Sequence, residues 1–554
     1  MSAMTRRNFV KGAALSPLAL RPLAHAQKST SADQFDIVVA GAGHNSLITT
    51  AYLAKAGYRC LVLEGRPTLG GGVKTAEITL RGFKHDTCSS THIFIQDNPL
   101  LRNDELELSK YGLKYLYPDP VYHTCFGDGS SITQWRDVDR TCGEFAKFST
   151  KDAATYRRML SEYEVIEPVF NAVTFRPIGF GKSLTDRLAE HPQGKFWMRR
   201  QAMAAWEIVR DNFEDEHCRA FMLASPWGHM PPESPMTGRF AYSVFRQQRR
   251  SRPIPVGGSG ALSHALATLI GEYGGVILTN KSVAQLIVED GRCSGVECSD
   301  GSTYRAKKAV VSTIHIKQLV DMAPQELWGR DFIDGVETWQ PETTECVTHY
   351  ATTEPPKFTT GKDTISPVHA TVIAHPERLL RLGYDYACST VNLNEPPLGI
   401  VCASIADPTR APQGMHTISV TGYQPYDLKQ GPQHWDTIKE QVSEANLNYL
   451  RRFSPNLTDN KILSRSIHSP LDFERMNPHN WHGSCHAGSQ GPAQSGNLRP
   501  MPGWAQHRMP IPGLYQTGAT THPGGSVTGA PGRNAATVML KDFGTSIEEV
   551  LQKG

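Results

Sequence analysis

Residues 35–72 read FDIVVAGAGHNSLITTAYLAKAGYRCLVLEGRPTLGGG and decide the fold. Residues 37–40 form a short apolar run, typical of a strand buried on both faces, and end at a glycine-rich turn. Apolar side chains then recur at helical spacing over residues 47–54, and Gly57 is placed to end that helix. Residues 60–63 are a second buried strand. The stretch therefore predicts a β-turn-helix-β unit of an α/β protein.

The turn of this unit has the residues of a dinucleotide site. Gly41 permits the sharp turn, and Gly43 lets the backbone approach a pyrophosphate at the helix N-terminus. Ser46 replaces the third glycine of G-x-G-x-x-G and is small enough to keep helix and strand close. Glu64 ends the second strand, where an acidic residue binds ribose hydroxyls. A glycine turn in some other α/β protein is the alternative, but the strand, the helix and the acid together favour a dinucleotide.

The residues after the second strand narrow the choice of dinucleotide. They form the pattern E-x-R-x-x-x-G-G with one more glycine, and its members are Glu64, Gly65, Arg66, Gly70, Gly71 and Gly72. The pattern resembles the extension shared by flavin amine oxidases and carotenoid desaturases, which hold FAD in an extended pose. We therefore predict FAD as the cofactor.

Length and composition exclude several classes of protein. A chain of 554 residues has room for two or three domains. The net charge is only +3 and the charges are interspersed, so nucleic acid is not expected as a partner. Because no apolar run reaches the length of a membrane span, no spanning segment is predicted. The eleven cysteines include no C-x-x-C pair, so the dithiol relay of flavin disulfide reductases is not indicated.

The N-terminus has the pattern of an export signal. Residues 5–11, TRRNFVK, resemble a twin-arginine signal, and Ala24-His25-Ala26 is a plausible cleavage site after a modest apolar stretch. A basic disordered tail is the alternative. We predict that residues 1–26 are a signal peptide and that the protein reaches the periplasm already folded around its cofactor.

The rest of the chain is predicted to alternate between two domains. Residues 151–250 have helical spacing broken by prolines, which indicates a helical insert. Two Asp-Gly dipeptides within residues 283–312 predict a β-meander. The resemblance to FAD enzymes implies that Val283, at its start, lies beside the adenine. Residues 511–518 are a strand that ends in Gly518, and the following loop contains Gly525, Ser526 and Val527 before a helix over residues 532–542. That helix start offers positive partial charge to the flavin.

The predicted fold class is α/β, with a Rossmann-like FAD-binding domain of the glutathione reductase and amine oxidase type and a discontinuous α+β substrate domain. The FAD-binding domain is assigned to residues 35–118, 254–320 and 485–554. The substrate domain, with its helical insert, is assigned to residues 119–253 and 321–484.

Four separated strings carry a family resemblance. They are VVAGAGHN, which contains His44 and Asn45, LEGRPTLGG, PVGGSGAL and GATTHPGGSVTGAPGRNAA. Together they resemble the phytoene-desaturase-like FAD-dependent oxidoreductases, closest to the branch named pyridine nucleotide-disulfide oxidoreductase domain-containing protein 2. The matching blocks bind the cofactor, whereas the stretches that select a substrate match poorly.

One dinucleotide motif and an export signal predict that the substrate gives hydride to FAD and that oxygen or a quinone reoxidises it. We expect a hydrophobic or aromatic small molecule that is oxidised at an alcohol, at an amine or by desaturation between two C–H groups. Coupling of the oxidation to an elimination is part of this expectation. The resemblance places His522 and His482 as acid/base candidates, and the alternative for each is a structural role. His92 and Arg533 are weaker candidates.

Other interpretations concern a metal site and the reaction itself. A metal site is not predicted at the cluster His479, His482, Cys485 and His486, since Pro478 and Gly483 disfavour the helix that would align the ligands. A carotenoid-type desaturase or isomerase and a non-catalytic flavin-binding interaction protein remain as alternative functions.

Overall fold

The computed structural model describes residues 35–224, 230–360, 363–375 and 377–552. The predicted signal peptide over residues 1–26 lies outside the described residues. The residues from Phe35 onward form one compact unit, so the domain boundaries predicted within it stay a prediction. Among the helices of the described ranges, none combines the length and the apolar character needed to cross a bilayer.

The described ranges contain twenty strands. They are β1 Phe35–Ala40, β2 Cys60–Glu64, β3 Thr75–Ala76, β4 His85–Asp86, β5 Tyr115–Leu116, β6 Tyr122–Phe126, β7 Ser131–Gln134, β8 Ile254–Pro255, β9 Val276–Thr279, β10 Val283–Glu289, β11 Arg292–Cys298, β12 Thr303–Ser312, β13 Thr344–Thr352, β14 Phe358–Thr360, β15 Asp363–Ile365, β16 His369–Ile373, β17 Leu398–Val401, β18 His416–Gln424, β19 Ile462–His468 and β20 Leu514–Gln516.

The same ranges contain seventeen α-helices. They are α1 His44–Lys55, α2 Pro99–Arg102, α3 Val138–Ala146, α4 Thr150–Thr174, α5 Leu184–Glu190, α6 Gly194–Ala202, α7 Ala205–Asn212, α8 Glu216–Ala224, α9 Ser243–Arg250, α10 Gly260–Glu272, α11 Ile316–Leu319, α12 Arg330–Glu337, α13 Glu377–Ala387, α14 Trp435–Arg451, α15 Pro470–Met476, α16 Ala530–Asp542 and α17 Ile547–Gln552.

The first sheet has the order β10-β11-β12-β1-β2-β9, and β20 also pairs with β12. β12, β1, β2, β9 and β20 run parallel, while β10, β11 and the start of β12 form the predicted antiparallel meander. Side chains of β1 alternate between two separate apolar clusters, with Ile37 and Val39 in one and Val38 and Ala40 in the other. Burial on both faces explains why this strand has no polar residue between 37 and 40.

Helix α1 packs against α16, although the two lie at opposite ends of the described chain. Gly532 permits the close approach, because a Cβ at this position would lie 2.4 Å from the carbonyl oxygen of Asn45. The Thr49 hydroxyl also donates to the carbonyl oxygen of Gly532 at 2.9 Å. The two segments that resemble cofactor-binding motifs are therefore joined by direct helix packing.

The second sheet has the order β19-β13-β18-β17-β16-β6-β7. Its strands pair antiparallel except for β16 and β6, which run parallel. Helices α3 to α9 fall within residues 138–250, so the predicted helical insert is helical in the structure. The predicted α/β fold class is confirmed, and the parallel part of the first sheet is Rossmann-like.

Candidate active site

A cavity of about 840 Å³ opens at the carboxyl ends of the parallel strands. This is the edge at which open α/β sheets bind their ligands. Its lining includes most of the predicted cofactor residues, namely Gly41, Gly43, His44, Asn45, Glu64, Gly65, Arg66, Gly71, Gly72, Val283, Gly518, Gly525, Ser526 and Val527. The other two predicted residues, Ser46 and Gly70, do not line the cavity but shape its wall.

The turn after β1 is shaped by close backbone contacts. Gly41 has φ +96°, and a Cβ there would lie 2.5 Å from the Cγ2 atom of Thr313. A Cβ at Gly518 would lie 2.5 Å from the Oγ1 atom of the same threonine. The Ser46 hydroxyl hydrogen-bonds the carbonyl oxygens of Gly41, at 2.7 Å, and Gly43, at 2.9 Å. Ser46, at the third motif position, therefore stabilises the turn through these two hydrogen bonds. Thr313 also lines the cavity, and the sequence analysis did not identify it.

The carboxylate of Glu64 organises the next part of the wall. It is buried and accepts hydrogen bonds from the backbone N–H of Ala42, at 2.8 Å, and of Arg66, at 3.1 Å. The Arg66 Nε atom lies 3.3 Å from the same carboxylate. The Glu64 carboxylate lines the cavity and is fixed by these contacts, so it is suited to accept hydrogen bonds from ribose hydroxyls.

The glycine pair after Glu64 brings its loop against the phosphate turn. The N–H of Gly70 donates to the carbonyl oxygen of Ala42 at 2.8 Å. A Cβ at Gly71 would lie 3.3 Å from the Cα of Gly43, and one at Gly70 would lie 2.2 Å from the carbonyl oxygen of Val73. Side chains at these positions would fill the space between this loop and the turn at Gly41 and Gly43. Glycines therefore keep this space open, and we call the space with its glycine walls the phosphate cradle.

His44 and Asn45 link this cradle to the C-terminal loop. The ring of His44 hydrogen-bonds the backbone of Ser526, while burial lowers the pKa of His44 to about 4. The Nε2 atom of His44 and the Oδ1 atom of Asn45 are buried and have no hydrogen-bond partner among the described residues. Buried polar atoms normally have a partner, so these two atoms fit a polar group of a bound cofactor.

The comparison with protein families decides the identity of this cradle. Residues 47–540 match the family described as flavin containing amine oxidoreductase. The chain belongs to this family. The glycine cradle, the Glu64 carboxylate and the unpartnered cavity atoms fit FAD, and the chain is an FAD-dependent oxidoreductase.

Proteins similar to this family member cover nearly its whole length. Pyridine nucleotide-disulfide oxidoreductase domain-containing protein 2 of Mus musculus is 28% identical over 92% of this chain and 94% of its own length. A limonene dehydrogenase subunit of Castellaniella defragrans is 26% identical over 93% of this chain and 96% of its own length. A solved structure of putrescine oxidase bound to putrescine is 14% identical, with a TM-score of 0.58 over 91% of this chain and 98% of that one. The likeness to the solved structure shows the fold.

His482 lies outside the lining of the cavity. Its ring stacks on Tyr426 at 4.9 Å between ring centroids, and its backbone N–H donates to a carboxylate oxygen of Glu474 at 2.8 Å. His482 has φ 51°, and these contacts hold it against Tyr426 and α15. This placement disfavours a catalytic role, which the sequence assigned from resemblance alone.

His522 is buried in the loop that contains Gly525, but it is not among the lining residues either. Its Nε2 atom lies 3.0 Å from the carbonyl oxygen of Val173, and burial lowers its pKa to about 4. A neutral ring that donates to a backbone carbonyl fits the structural alternative. The catalytic role of His522 stays a prediction.

His486 is the histidine that the structure brings to the flavin-side loop. It lines the cavity, and a Cβ at Gly525 would lie 2.3 Å from the Cβ of His486. The His486 backbone N–H donates to one carboxylate oxygen of Glu342 at 2.6 Å, and its Nδ1 atom lies 3.1 Å from the other. Burial opposes protonation of the ring, but the Glu342 carboxylate outweighs it, so the pKa of His486 lies above its ordinary value. Sequence reasoning missed this pair because Glu342 carries no motif.

A second grouping near His486 also escaped sequence reasoning. Cys88 and Cys485 both line the cavity, and the Cys88 side chain acts on the thiol of Cys485. This interaction, together with burial, raises the pKa of Cys485 well above its ordinary value, which keeps the sulfur protonated. Glu345 faces the same space, and burial raises its pKa to about 7. Two thiols therefore meet at the cavity without any C-x-x-C sequence pattern.

The weaker candidates have structural contacts. His92 bonds the Tyr115 hydroxyl at 3.0 Å and the Ser259 hydroxyl at 2.6 Å. Arg533 forms two hydrogen bonds of 2.8 Å to the carboxylate of Glu105. Within the ranges that the structure describes, no group of three or more histidine, cysteine, aspartate or glutamate side chains is arranged to hold a metal ion.

Three histidines cluster on the second sheet and its surroundings. The ring centroid of His349 lies 5.3 Å from that of His85 and 5.2 Å from that of His468. Both ring nitrogens of His349 are buried without a hydrogen-bond partner among the described residues. Burial lowers the pKa of all three, and Arg410 lowers that of His85 further, to about 3. The cluster is therefore neutral at neutral pH.

Proposed function

We propose that the enzyme oxidises a small molecule with a hydrophobic or aromatic body by removing hydride from a C–H bond. The observation that carries this proposal is the continuity of the cavity. The same space that is lined by the cofactor residues extends to apolar side chains of the second sheet, the helical insert and α13, which include Phe240, Leu379, Leu398 and Ile400. A concave, largely apolar space beside the flavin suits such a substrate.

His486 and Glu342 are the proposed acid/base pair. When bound, FAD supplies the hydride acceptor. Loss of hydride from an alcohol or amine also requires removal of a proton, and histidine is the side chain that most often serves as the base. Glu342 orients the His486 ring through its Nδ1 atom and raises the pKa of the ring. We infer that this pair, rather than His482, accepts the proton.

Oxygen or a quinone is the proposed electron acceptor, and the periplasm is the proposed location. The single dinucleotide motif and the twin-arginine pattern TRRNFVK support both points. Export is tested by fractionation of cells that produce the chain with both arginines of the motif, Arg6 and Arg7, replaced by lysine. The proposal predicts that the unchanged chain is found in the periplasm and that the altered chain stays in the cytoplasm.

Dehydrogenation of an unsaturated hydrocarbon is the second candidate. The relative named as a limonene dehydrogenase subunit aligns over almost the whole of both chains, and the cavity has apolar walls. A hydrocarbon has no acidic O–H or N–H proton, so this reaction would not depend on His486 in the same way. The two candidates therefore differ in their response to the same substitution.

The decisive experiment is anaerobic mixing of the FAD-loaded protein with aromatic alcohols, aliphatic amines and cyclic terpenes. Loss of the oxidised flavin absorbance identifies the substrate class, and hydrogen peroxide after admission of air identifies oxygen as acceptor. If no compound reduces the flavin, the non-catalytic flavin-binding alternative is favoured.

The acid/base assignment has its own test. His486→Asn should slow flavin reduction by about 100-fold or more. Glu342→Gln removes the carboxylate that raises the pKa of His486, so the rise of the rate with pH should move to lower pH. An unchanged pH profile in this variant would contradict the assignment.

A further inference from the structure

Four arginines line the cavity. Three of them have a carboxylate partner, namely Arg66 with Glu64, Arg246 with Asp97 and Arg475 with Asp436. Arg252 is the fourth, and it has no carboxylate partner among the described residues. A comparison within one cavity therefore singles out one guanidinium without a counter-ion.

The surroundings of Arg252 are polar but uncharged. Its Nη1 atom donates to the side-chain oxygen of Gln247 at 3.2 Å, and the guanidinium lies over the ring of Tyr122, 4.7 Å from its centroid. The Nε atom is buried and has no hydrogen-bond partner in the described ranges. Tyr423 and Thr371 line the same cavity, and the Thr371 hydroxyl hydrogen-bonds that of Tyr122.

An arginine in such a place keeps its charge. Burial lowers the pKa of Arg252, but a guanidinium stays protonated in proteins. A charge that is withdrawn from water without a counter-ion is costly, and an anion that enters the cavity removes this cost. The planar guanidinium matches a carboxylate with two parallel hydrogen bonds.

We propose that Arg252 binds a carboxylate of the substrate, so that the enzyme oxidises a small organic acid with an apolar or aromatic body. This inference rests on the proposed function and names its substrate class. A single guanidinium with neutral hydroxyl neighbours suits a monovalent carboxylate better than a phosphate dianion, which would require further positive groups. The apolar side chains Phe240, Leu398 and Ile400 lie in the same cavity and pack the body of the acid.

The neighbouring acid, Glu345, does not oppose this arrangement below neutral pH. Tyr423 interacts electrostatically with both Glu345 and Arg252, which places the two in the same part of the cavity. Because burial raises the pKa of Glu345 to about 7, this side chain is mostly uncharged below neutral pH. Under those conditions Arg252 faces the entering carboxylate without a fixed negative neighbour.

The test compares phenylacetate with phenylacetamide, which have the same shape and differ in charge. Binding to the FAD-loaded protein is followed by the change in the flavin absorbance spectrum and by thermal shift. The unchanged protein should bind phenylacetate at least about tenfold more tightly, since one hydrogen-bonded charge pair contributes about 1.5 kcal/mol or more. Arg252→Gln should remove this preference, and Arg252→Lys should keep part of it.

The control is Arg330→Gln, since the side chain of Arg330 is 90% exposed and lies outside the cavity lining. This variant should keep the full preference for phenylacetate. Equal binding of acid and amide by the unchanged protein, no binding of the acid, or an Arg252→Gln protein that keeps the preference would each overturn the inference. Arg252→Lys carries the test if the glutamine variant fails to fold.

Failure of the inference and failure of the proposed function give different results. If neutral alcohols or amines reduce the flavin but the preference for the acid is absent, only the inference fails. If phenylacetate binds through Arg252 while no compound of any class reduces the flavin, the proposed function fails and the carboxylate site stands.

Discussion

Replacement of Glu64 by glutamine should weaken FAD binding with little change in shape. The carboxylate accepts the N–H of Ala42 at 2.8 Å and the N–H of Arg66 at 3.1 Å, each with a different oxygen. The Arg66 Nε atom donates to the same oxygen as the Arg66 N–H, so it is the oxygen that accepts from Ala42 that retains a lone pair, the acceptor expected for a ribose hydroxyl. Glutamine has one oxygen, and its amide nitrogen cannot accept a hydrogen bond.

The size of the effect follows from the number of lost acceptors. One backbone N–H is left without its partner, which destabilises the cofactor-free protein by about 1–3 kcal/mol. At least one hydroxyl of the ribose loses a charged acceptor, which is worth about 1.5–3 kcal/mol. The dissociation constant of FAD should therefore rise by roughly ten- to hundredfold.

The assay is titration of cofactor-free protein with FAD, followed by quenching of the flavin fluorescence. Glu77→Gln is the control, because Glu77 is exposed and does not line the cavity. A Glu64→Gln protein that binds FAD as tightly as the unchanged protein would refute the assignment of Glu64 to the cofactor.

Three further predictions concern packing and charge. Gly532→Ala should destabilise the protein by about 1–3 kcal/mol and weaken FAD binding, because the added methyl group overpacks α16 against α1. The control is Gly271→Ala, in open space on α10, which should leave FAD binding unchanged. Equal effects of the two substitutions in chemical denaturation would contradict the role of Gly532. His349→Phe should make the stability less dependent on pH below 6.5. The buried neutral histidine takes up its proton only on unfolding, which lowers the free energy of unfolding by about 1.4 kcal/mol for each pH unit of acidification. Melting curves with the same acid sensitivity as those of the parent protein would contradict this prediction. The affinity for phenylacetate should fall as the pH rises through about 7, because Glu345 then ionises and repels the carboxylate. Glu345→Gln should make the affinity less dependent on pH. An affinity of the unchanged protein that does not vary with pH would exclude this role of Glu345.

The local part of the cofactor site was predictable from the sequence. The strand, turn, helix and acid between Phe35 and Glu64 depend on neighbours along the chain, and the spacing of their glycines already describes the required backbone. The position of Ser46 also followed from its small size, although its hydrogen bonds to the turn did not. The α/β fold class was predictable for the same reason.

The substrate side of the cavity was not predictable in this way. The contact of His486 with Glu342 and that of Cys88 with Cys485 join residues that are far apart in the sequence. Neither pair has a characteristic spacing, since each is set by how the second sheet and the connecting loops pack. His482 was chosen from the family resemblance, but in the structure its ring stacks on Tyr426.

The role of Arg252 was not predictable from the sequence either. An arginine in a sequence gives no sign of whether a carboxylate will face it. Only the folded chain separates it from Arg66, Arg246 and Arg475, which have acidic partners. The substrate class inferred from Arg252 therefore depends entirely on tertiary structure.

The packing of α1 against α16 has a consequence for biosynthesis. The first half of the phosphate cradle is translated with α1, whereas the helix that supports it from the other side, α16, follows only after both sheets and the helical insert. A nascent chain therefore lacks a complete flavin site until α16 has been made, and we expect the cofactor to be captured only after that point.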